Sequence, residues 1–348
     1  MSAPVPAPAG PPGGAPPARP RVGFLGVGWI GRTRMQALHA AGDVDAVAVA
    51  DLDAHLREQA AADLGGASAA RSLDELLDLD LDGVVIATPS ALHAEQAVAA
   101  LERGVAVFCQ KPLGRDEAET RRVLDAARDA DRLLAVDLSY RRTQALRAAQ
   151  ALIASGELGA LYAADLVFHN AYGPDKPWFT QRELAGGGCL VDLGTHLIDL
   201  ALWLTGSTGA AVTAAKLLRQ GAPLPADPGS SAVEDFALAQ LELDAGVTAR
   251  VACSWFLPAG RECLFECTLY GTQGAVSVTN VDGSFYDFRA ERHHGTTREA
   301  LVEPPDEWGG RSVAAWGAQL AQGRGFDPAA EELAVLARVI DGIYGWRP

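Results

Sequence analysis

Lysine is almost missing from this chain: of 29 basic residues only Lys111, Lys176 and Lys216 are lysine. Where arginine is so favoured, a retained ammonium points to a task that a planar, forked guanidinium performs differently. Positive charge as a whole is short as well, with 44 acidic residues leaving a net charge of −15. That balance repels phosphate polymers and anionic bilayers, and no local basic patch offsets it, so neither nucleic acid nor membrane is an expected partner. The five cysteines, Cys109, Cys189, Cys253, Cys263 and Cys267, are odd in number and scattered, which argues against a disulfide framework. The Cys263 and Cys267 spacing lacks the second ligand pair of a structural zinc site, and no metal is expected. No uninterrupted apolar run reaches the ~18 residues of a membrane span. Residues 1–20, nearly all Pro, Ala and Gly, lack a basic segment ahead of an apolar one, so they read as a disordered tail and not a signal peptide. The expected location is cytoplasmic.

What the chain does have is enough apolar sequence, 49% of 348 residues, for one or two large cores. From Arg21 to about Asp137, short apolar runs (RVGFLG, DAVAVAD, GVVIAT, VAVFC, LLAVDL) alternate with amphipathic helical stretches. This is the grammar of βαβ units and a parallel sheet covered on both faces. Gly42 and Gly104 stand where helix C-caps are expected. After a further helix over about Gln144–Ser155, longer strand-like segments follow one another: YAADLVFHN, EDFALAQLEL, VTARVACSWF, ECLFECTLYG and AVSVTN. They predict a large, mainly antiparallel open sheet, with one helix inserted at Gly188–Leu204 and another over about Pro328–Ile343. The expected division is residues 21–140 as a Rossmann doubly wound α/β domain and 141–348 as an α+β domain for substrate binding and oligomerisation. The last helix is free to pack back on the first domain.

The sequence Gly26-Val27-Gly28-Trp29-Ile30-Gly31 follows the first strand and opens the first helix, the context in which GxGxxG binds a dinucleotide. The first glycine permits the tight turn, the second lets backbone approach a pyrophosphate and the third lets helix pack on strand, while the helix N-terminus faces the phosphates. Asp51 ends the second strand, where its carboxylate takes the adenosine ribose hydroxyls. A 2′-phosphate ~4 Å from that carboxylate meets about 4 kcal/mol of repulsion per charge at an effective dielectric of 20, so NAD is expected over NADP. Arg57 is the one nearby group that favours the phosphate.

Three later segments, ATPSALH (87–93), CQKPLG (109–114) and GGGCLVDLGTHLIDLALWLTG (186–206), lie in order behind this fingerprint. Together they resemble the glucose-fructose oxidoreductase / inositol dehydrogenase (Gfo/Idh/MocA) family, over most of the chain from Arg21 to about Val278. The resemblance implies hydride transfer between a nicotinamide and a carbon of a sugar or cyclitol, with Lys111, Asp192 and His196 around the reacting hydroxyl. The residues read alone agree: Asp192 and His196 share a face at i, i+4, and Lys111 follows the C-terminal end of a parallel strand, where open α/β sheets bind ligands. His196 is the expected base, Lys111 the donor to the oxygen, Asp192 the group that holds the substrate or tunes the other two, and Asp199 an orienter of the imidazole. The resemblance places Thr88, Pro89 and His93 along the cofactor and implies a cis bond between Lys111 and Pro112.

Two departures stand out. Gln110 occupies the place where the family usually has Glu, which removes a negative charge beside Lys111 while leaving an amide able to meet a ribose or nicotinamide group. The segment SYRRTQ (139–144) stands in place of an Arg-Phe-x-Pro arrangement, leaving Arg142 as a candidate substrate contact. Tyr172, Lys176, Trp178 and Phe179, on a Pro- and Gly-punctuated loop, are further pocket candidates suited to a polyol ring. The leading expectation is a dehydrogenase on a secondary hydroxyl of a sugar, aminosugar or cyclitol. A ketoreductase on a keto-sugar or nucleotide sugar is the near alternative, and a catalytically silent dinucleotide-binding regulator the distant one. An open sheet needs its outer face covered, so a homodimer or homotetramer is expected.

Overall fold

The computed structural model describes residues 18–224 and 231–347. The N-terminal tail expected over 1–20 therefore falls largely outside the described residues.

The first half is built from β1 (Arg21–Leu25), α1 (Trp29–Ala41), β2 (Asp45–Ala50), α2 (Ala54–Asp63), β3 (Ser68–Ala70), α3 (Leu73–Leu77), β4 (Gly83–Ile86), α4 (Ser90–Glu102), β5 (Ala106–Cys109), α5 (Glu117–Asp129) and β6 (Leu134–Val136). The strands form a parallel six-stranded sheet in the order β3-β2-β1-β4-β5-β6, the Rossmann arrangement. β4 and β5 are buried at every position, as strands covered on both faces must be. Local chemistry sets the helix ends. Asp53, Ser72 and Asp116 accept from backbone N–H groups at the starts of α2, α3 and α5, and Gly42 takes the left-handed conformation (φ 76°) that closes α1.

A 3₁₀ turn (Ser139–Arg142) and α6 (Gln144–Ala154) lead into β7 (Leu161–Asn170). After it come α7 (Arg182–Ala185), a π-helical turn (Leu190–Gly194) continuous with α8 (Thr195–Thr205), β8 (Ala210–Arg219), β9 (Ala222–Pro223), β10 (Phe236–Leu243), β11 (Thr248–Ser254), β12 (Cys263–Gly271), β13 (Ala275–Asn280), β14 (Phe288–His294), β15 (Thr297–Val302), α9 (Arg311–Ala321) and α10 (Glu332–Gly345). The nine strands form one sheet in the order β15-β14-β13-β12-β7-β11-β10-β8-β9, antiparallel except where β11 runs parallel to β7. Helices α6, α8 and α10 cover one face. The other face carries exposed Tyr162 and Leu238.

Two features differ from the sequence reading. β8, β14 and β15 add three full strands that Ala-, Arg- and Glu-rich composition concealed, because each lies near an edge and one of its faces is wet. Helix α9 returns to the first sheet: Trp316, 1% exposed, packs its ring 5.9 Å from Phe108 of β5. Truncating a side chain so buried costs about 3–5 kcal/mol, so the chain's late segment contributes to the core of the parallel sheet. α10 also packs on α5, through Arg338 on Glu117 and Asp341 accepting from the Glu117 N–H.

No single apolar run spans a bilayer, but the stretch Arg182–Thr205 is long and apolar enough on average (mean hydropathy 1.3) to meet that test. Its apolar window is 89% buried inside the protein, against the sheet and α10, so the core accounts for its composition.

Candidate active site

The glycine turn lies at the switch point of the parallel sheet, where β1 sits between β2 and β4. Gly26 is in the left-handed region (φ 82°), and a Cβ there would stand 2.6 Å from the Ala87 carbonyl oxygen at the end of β4. A Cβ on Gly31 would strike the Gly26 carbonyl, so the third glycine lets α1 start directly under the turn. Gly28 differs, since a Cβ there would meet no atom within 4 Å. Of the three glycines, then, two are demanded by the protein's own packing and the middle one by nothing in the protein. That pattern fits a dinucleotide approaching the backbone at Gly28 and the N-terminus of α1. Trp29 is 74% exposed beside it and Ile30 half-buried. Asp51 accepts from the Val27 N–H (2.8 Å) and the Asp53 N–H (2.9 Å), which ties the end of β2 to the glycine turn. The Arg57 guanidinium is held on the Asp51 backbone carbonyl at 2.7 Å.

Across the switch point, Thr88 donates to the Gln96 side chain (2.6 Å) and Pro89 caps α4. His93 is fully buried, with ring nitrogens 2.7 Å from the carbonyl oxygens of Pro112 and Thr88. Burial holds its imidazole below the ordinary range against the pull of those two carbonyls, and the nearby Lys111 charge adds to the lowering. His93 thus pins the Thr88 turn to the Lys111 loop from beneath and leaves no ring nitrogen facing the crevice. The Lys111–Pro112 peptide is cis.

Lys111 and Asp192 come together. The Lys111 ammonium donates to the Asp192 carboxylate (Oδ1, 2.7 Å) and to its backbone carbonyl (2.7 Å), with about a fifth of each side chain exposed. Two of three N–H groups are spent, leaving one for a ligand oxygen. The second carboxylate oxygen, Oδ2, accepts from the Trp255 indole at 3.1 Å. Asp192 sits in the π-helical turn, not in regular helix, so the i, i+4 relation to His196 spans a local widening of the coil. That turn is braced at its start. The buried Glu234 carboxylate accepts from the Gly188 and Leu190 N–H groups and from the Tyr344 hydroxyl of α10. A Cβ at Gly187 or Gly188 would collide with Tyr344 or Glu234, and Gly186 takes φ 85°, which together explain the run of three glycines.

His196 lies under Tyr140, ring centroids 4.7 Å apart. Burial holds its imidazole well below its usual range, and the charges of Lys111 and Arg34 push the same way, so it is neutral at neutral pH. Its Nδ1 is buried without a partner. The expected orienter does not serve it. Asp199 is paired with Arg141 through both carboxylate oxygens (Nε to Oδ1 3.1 Å, Nε to Oδ2 2.9 Å), and Arg141 also reaches Glu332 at 2.7 Å. One helical turn beyond His196, Asp199 faces the buried Arg141, because a guanidinium so placed requires an anion more than a neutral imidazole does.

Gln110 is buried and donates its amide to Asp137 at 2.5 Å, and Asp137 also receives the Arg34 guanidinium at 2.6 Å. Arg142 is half-buried, its guanidinium without an acceptor among the described residues and held below its usual range by burial and by the charges of Arg147 and Arg141. On the 172–181 loop, Tyr172 is exposed near Phe285, Lys176 is exposed and within 3.5 Å of Asp175, and Trp178 stacks on Phe179 at 3.8 Å. Phe179 meets Trp255 edge-on at 6.5 Å, which connects this loop to Asp192 through one indole.

Sequence reasoning missed Trp255, Tyr140, Asp137 and Arg34. Asp137 alone left a signal, an acidic residue closing an otherwise apolar strand (LLAVDL). Trp255 and Arg34 were read only as part of a strand and a helix, because their partners lie 63 and 103 residues away in the chain, and Tyr140 lay in the 139–144 segment, where only Arg142 was singled out.

Comparison with known proteins agrees with this architecture. The oxidoreductase family with an NAD-binding Rossmann fold (GFO/IDH/MocA) matches residues 20–138, and the GFO/IDH/MocA C-terminal domain matches 146–277. A putative UDP-kanosamine synthase oxidoreductase subunit of Amycolatopsis mediterranei is 33% identical over 279 residues, 76% of this chain and 73% of that protein. Levoglucosan dehydrogenase of Pseudarthrobacter phenanthrenivorans is 34% identical over 207 residues, 54% of this chain and 52% of the relative, so that match spans about half of each. Among solved structures, GenD2 from gentamicin A biosynthesis in complex with NAD superposes with a TM-score of 0.79 at 26% identity, covering 96% of this chain and 95% of that one.

Proposed function

The chain belongs to the GFO/IDH/MocA family of NAD-binding oxidoreductases, and from that premise we propose that it moves a hydride between NAD and a secondary hydroxyl of a sugar, aminosugar or cyclitol. The observation that carries the reading is a partly exposed ammonium paired with a carboxylate just past the C-terminal end of β5, with a neutral imidazole one turn beyond that carboxylate and near enough to feel the ammonium's charge. Gly26, Gly28, Gly31 and the N-terminus of α1 suit the pyrophosphate, Asp51 the adenosine ribose, and the Thr88, Pro89 and Gln110 region the nicotinamide end. When bound, the nicotinamide supplies the two-electron hydride acceptor or donor.

The protein's own part is proton and charge management. Lys111, anchored by Asp192, directs its remaining N–H at the substrate oxygen and stabilises negative charge developing there. His196, held neutral by burial, takes the hydroxyl proton in oxidation and returns it in reduction. Asp192 fixes the ammonium, and Trp255 fixes Asp192. Arg142, Tyr172, Lys176 and Trp178 form the candidate substrate wall. In this reading residues 21–140 bind the dinucleotide and 141–348 the substrate. Asp51 favours NAD over NADP, a preference that parallel NADH and NADPH titrations would check. A second copy covering the exposed face of the nine-stranded sheet would give a dimer or tetramer, and sedimentation at micromolar concentration tests that.

The same groups reduce a ketone in the opposite direction, so keto-sugars belong in the test. Lys111→Ala is expected to lower turnover ~10²- to 10³-fold, as loss of one oxyanion donor does, while NADH binds within about threefold of normal. Full activity in that variant, or failure of the parent protein to bind either dinucleotide, refutes the proposal.

A further inference from the structure

A buried cluster behind Lys111 has no role in the steps above. Asp137, 1% exposed, follows the end of β6, its backbone N–H bonded to the Cys109 carbonyl (2.9 Å) of neighbouring β5. The residue directly after β5 is Gln110, followed by Lys111. One oxygen of Asp137, Oδ2, receives both the Arg34 guanidinium of α1 (2.6 Å) and the Gln110 amide (2.5 Å). The other, Oδ1, is buried with no partner.

An ionised carboxylate has acceptors only, so the group of Gln110 that faces it must be the NH₂. The amide oxygen is therefore turned away from Asp137, and it has no partner among the described residues. The charges facing the cluster are Arg34 on α1, Lys111 beyond β5 and Asp192 on the π-helical turn, with the neutral groups Cys109 and His196 alongside. Arg34 neutralises Asp137, and Lys111 neutralises Asp192. A glutamate at 110 would set two carboxylates in hydrogen-bond contact with only one guanidinium between them.

We propose that Asp137 is a positioning residue, which carries the buried negative charge of this corner and thereby orients Gln110 to offer a neutral acceptor oxygen to the dinucleotide beside Lys111. The inference rests on the dehydrogenase reading only for the identity of that ligand. The contact between residues 110 and 137 belongs to the protein alone and is testable without any ligand. It also accounts for the uncharged residue at 110: the carboxylate stands one strand over.

The test is a two-by-two set: the parent protein, Gln110→Glu, Asp137→Asn and the double variant Gln110→Glu/Asp137→Asn. Melting temperature is followed from about pH 6 to pH 8, and NADH binding by fluorescence titration. Relative to the parent, Gln110→Glu is expected to melt lower at the high end of that range than at the low end, because the two carboxylates are both ionised at high pH and share a proton at low pH. It is also expected to bind NADH at least ~10-fold more weakly at about pH 8. Asp137→Asn alone strands the buried Arg34 and melts lower at every pH. The double variant, with one carboxylate and one amide exchanged between strands, is expected to regain the pH dependence of the parent's melting while still binding NADH at least ~10-fold more weakly than the parent, since a charged oxygen then stands at 110. A Gln110→Glu protein with the parent's pH profile and affinity overturns the proposal, as does a double variant whose melting profile is no closer to the parent's than that of Gln110→Glu, or one that binds NADH as tightly as the parent. If the melting pattern holds but the parent binds no dinucleotide, the charge arrangement stands and the dehydrogenase reading falls.

Discussion

Gly26 and Gly28 stand two residues apart in the same turn, yet their surroundings predict opposite consequences for adding one methyl group. At Gly26 an alanine must adopt φ 82°, which costs an L residue about 1–2 kcal/mol. Its Cβ would also lie 2.6 Å from the Ala87 carbonyl oxygen and 2.7 Å from the carbonyl carbon, backbone atoms directly after β4 that cannot rotate aside. Moving that strand end adds about 1–3 kcal/mol, as overpacking in a close-packed interior does. Gly26→Ala should therefore lose about 3 kcal/mol, roughly 4 °C in Tm for a chain of 348 residues. At Gly28 the backbone (φ −62°, ψ −173°) suits any residue and a Cβ meets nothing within 4 Å. Exchanging glycine for alanine at this N-cap position costs at most about 1 kcal/mol. Calorimetric melting should then leave Gly28→Ala within about 2 °C of the parent. In NADH titration, however, the same variant should bind at least ~10-fold more weakly, a loss of 1.4 kcal/mol or more, because the methyl occupies the line along which a pyrophosphate approaches α1. Equal NADH affinity in Gly28→Ala and the parent would refute the assignment of this turn, and equal melting losses in the two variants would refute the packing argument.

Three further outcomes follow from the buried groups. A neutral His196 can accept a proton while a protonated one cannot, and its pKa lies well below 6.5; the oxidation rate should stay level as pH falls to about 6.5 and decline only beneath it, in a pH profile of kcat/KM. A falling limb centred at or above 6.5 would remove His196 from the role of base. The same lowering at His93, His169 and His196 means that at these groups the unfolded chain binds protons first, so Tm should drop as pH falls below about 6.5. The drop should be less steep than the histidines alone would give, because burial raises the Asp199 carboxyl to about 6 and the Glu234 and Asp341 carboxyls in the same direction. Asp199→Asn should lower stability by about 3 kcal/mol through loss of the buried pair with Arg141 while changing kcat less than threefold; collapse of kcat at unchanged Tm would restore Asp199 as the orienter of the imidazole.

Much of this was legible in order and spacing. The glycine fingerprint, the acidic end of β2 and the lone lysine after β5 each mark a position whose backbone or charge requirement is local, so the sequence carries them directly. The Lys111 and Asp192 pairing was legible from their positions as well, although the π-helical turn that carries Asp192 was not, since its start is braced by Glu234, from the segment before β10, and Tyr344 of α10. Asp199 was misread for a related reason. Helical spacing placed it near His196, but it does not reveal that Arg141, 58 residues earlier, arrives at the same carboxylate. The return of α9 to the parallel sheet and the bond from Trp255 to Asp192 likewise depend on pairings that only the assembled sheets create. Local periodicity identifies elements, whereas long-range charge pairing decides which side chain serves which.

The central claim is that Lys111, Asp192 and His196 surround one oxygen beside the nicotinamide. A crystal structure of the protein with NAD and a bound polyol addresses it most directly. A substrate hydroxyl within ~3.2 Å of the Lys111 Nζ and a His196 ring nitrogen, its carbon within ~3.5 Å of the nicotinamide C4, is the predicted result. A dinucleotide seated away from the Gly26–Gly31 turn, or a polyol held out of reach of Lys111, would contradict the account.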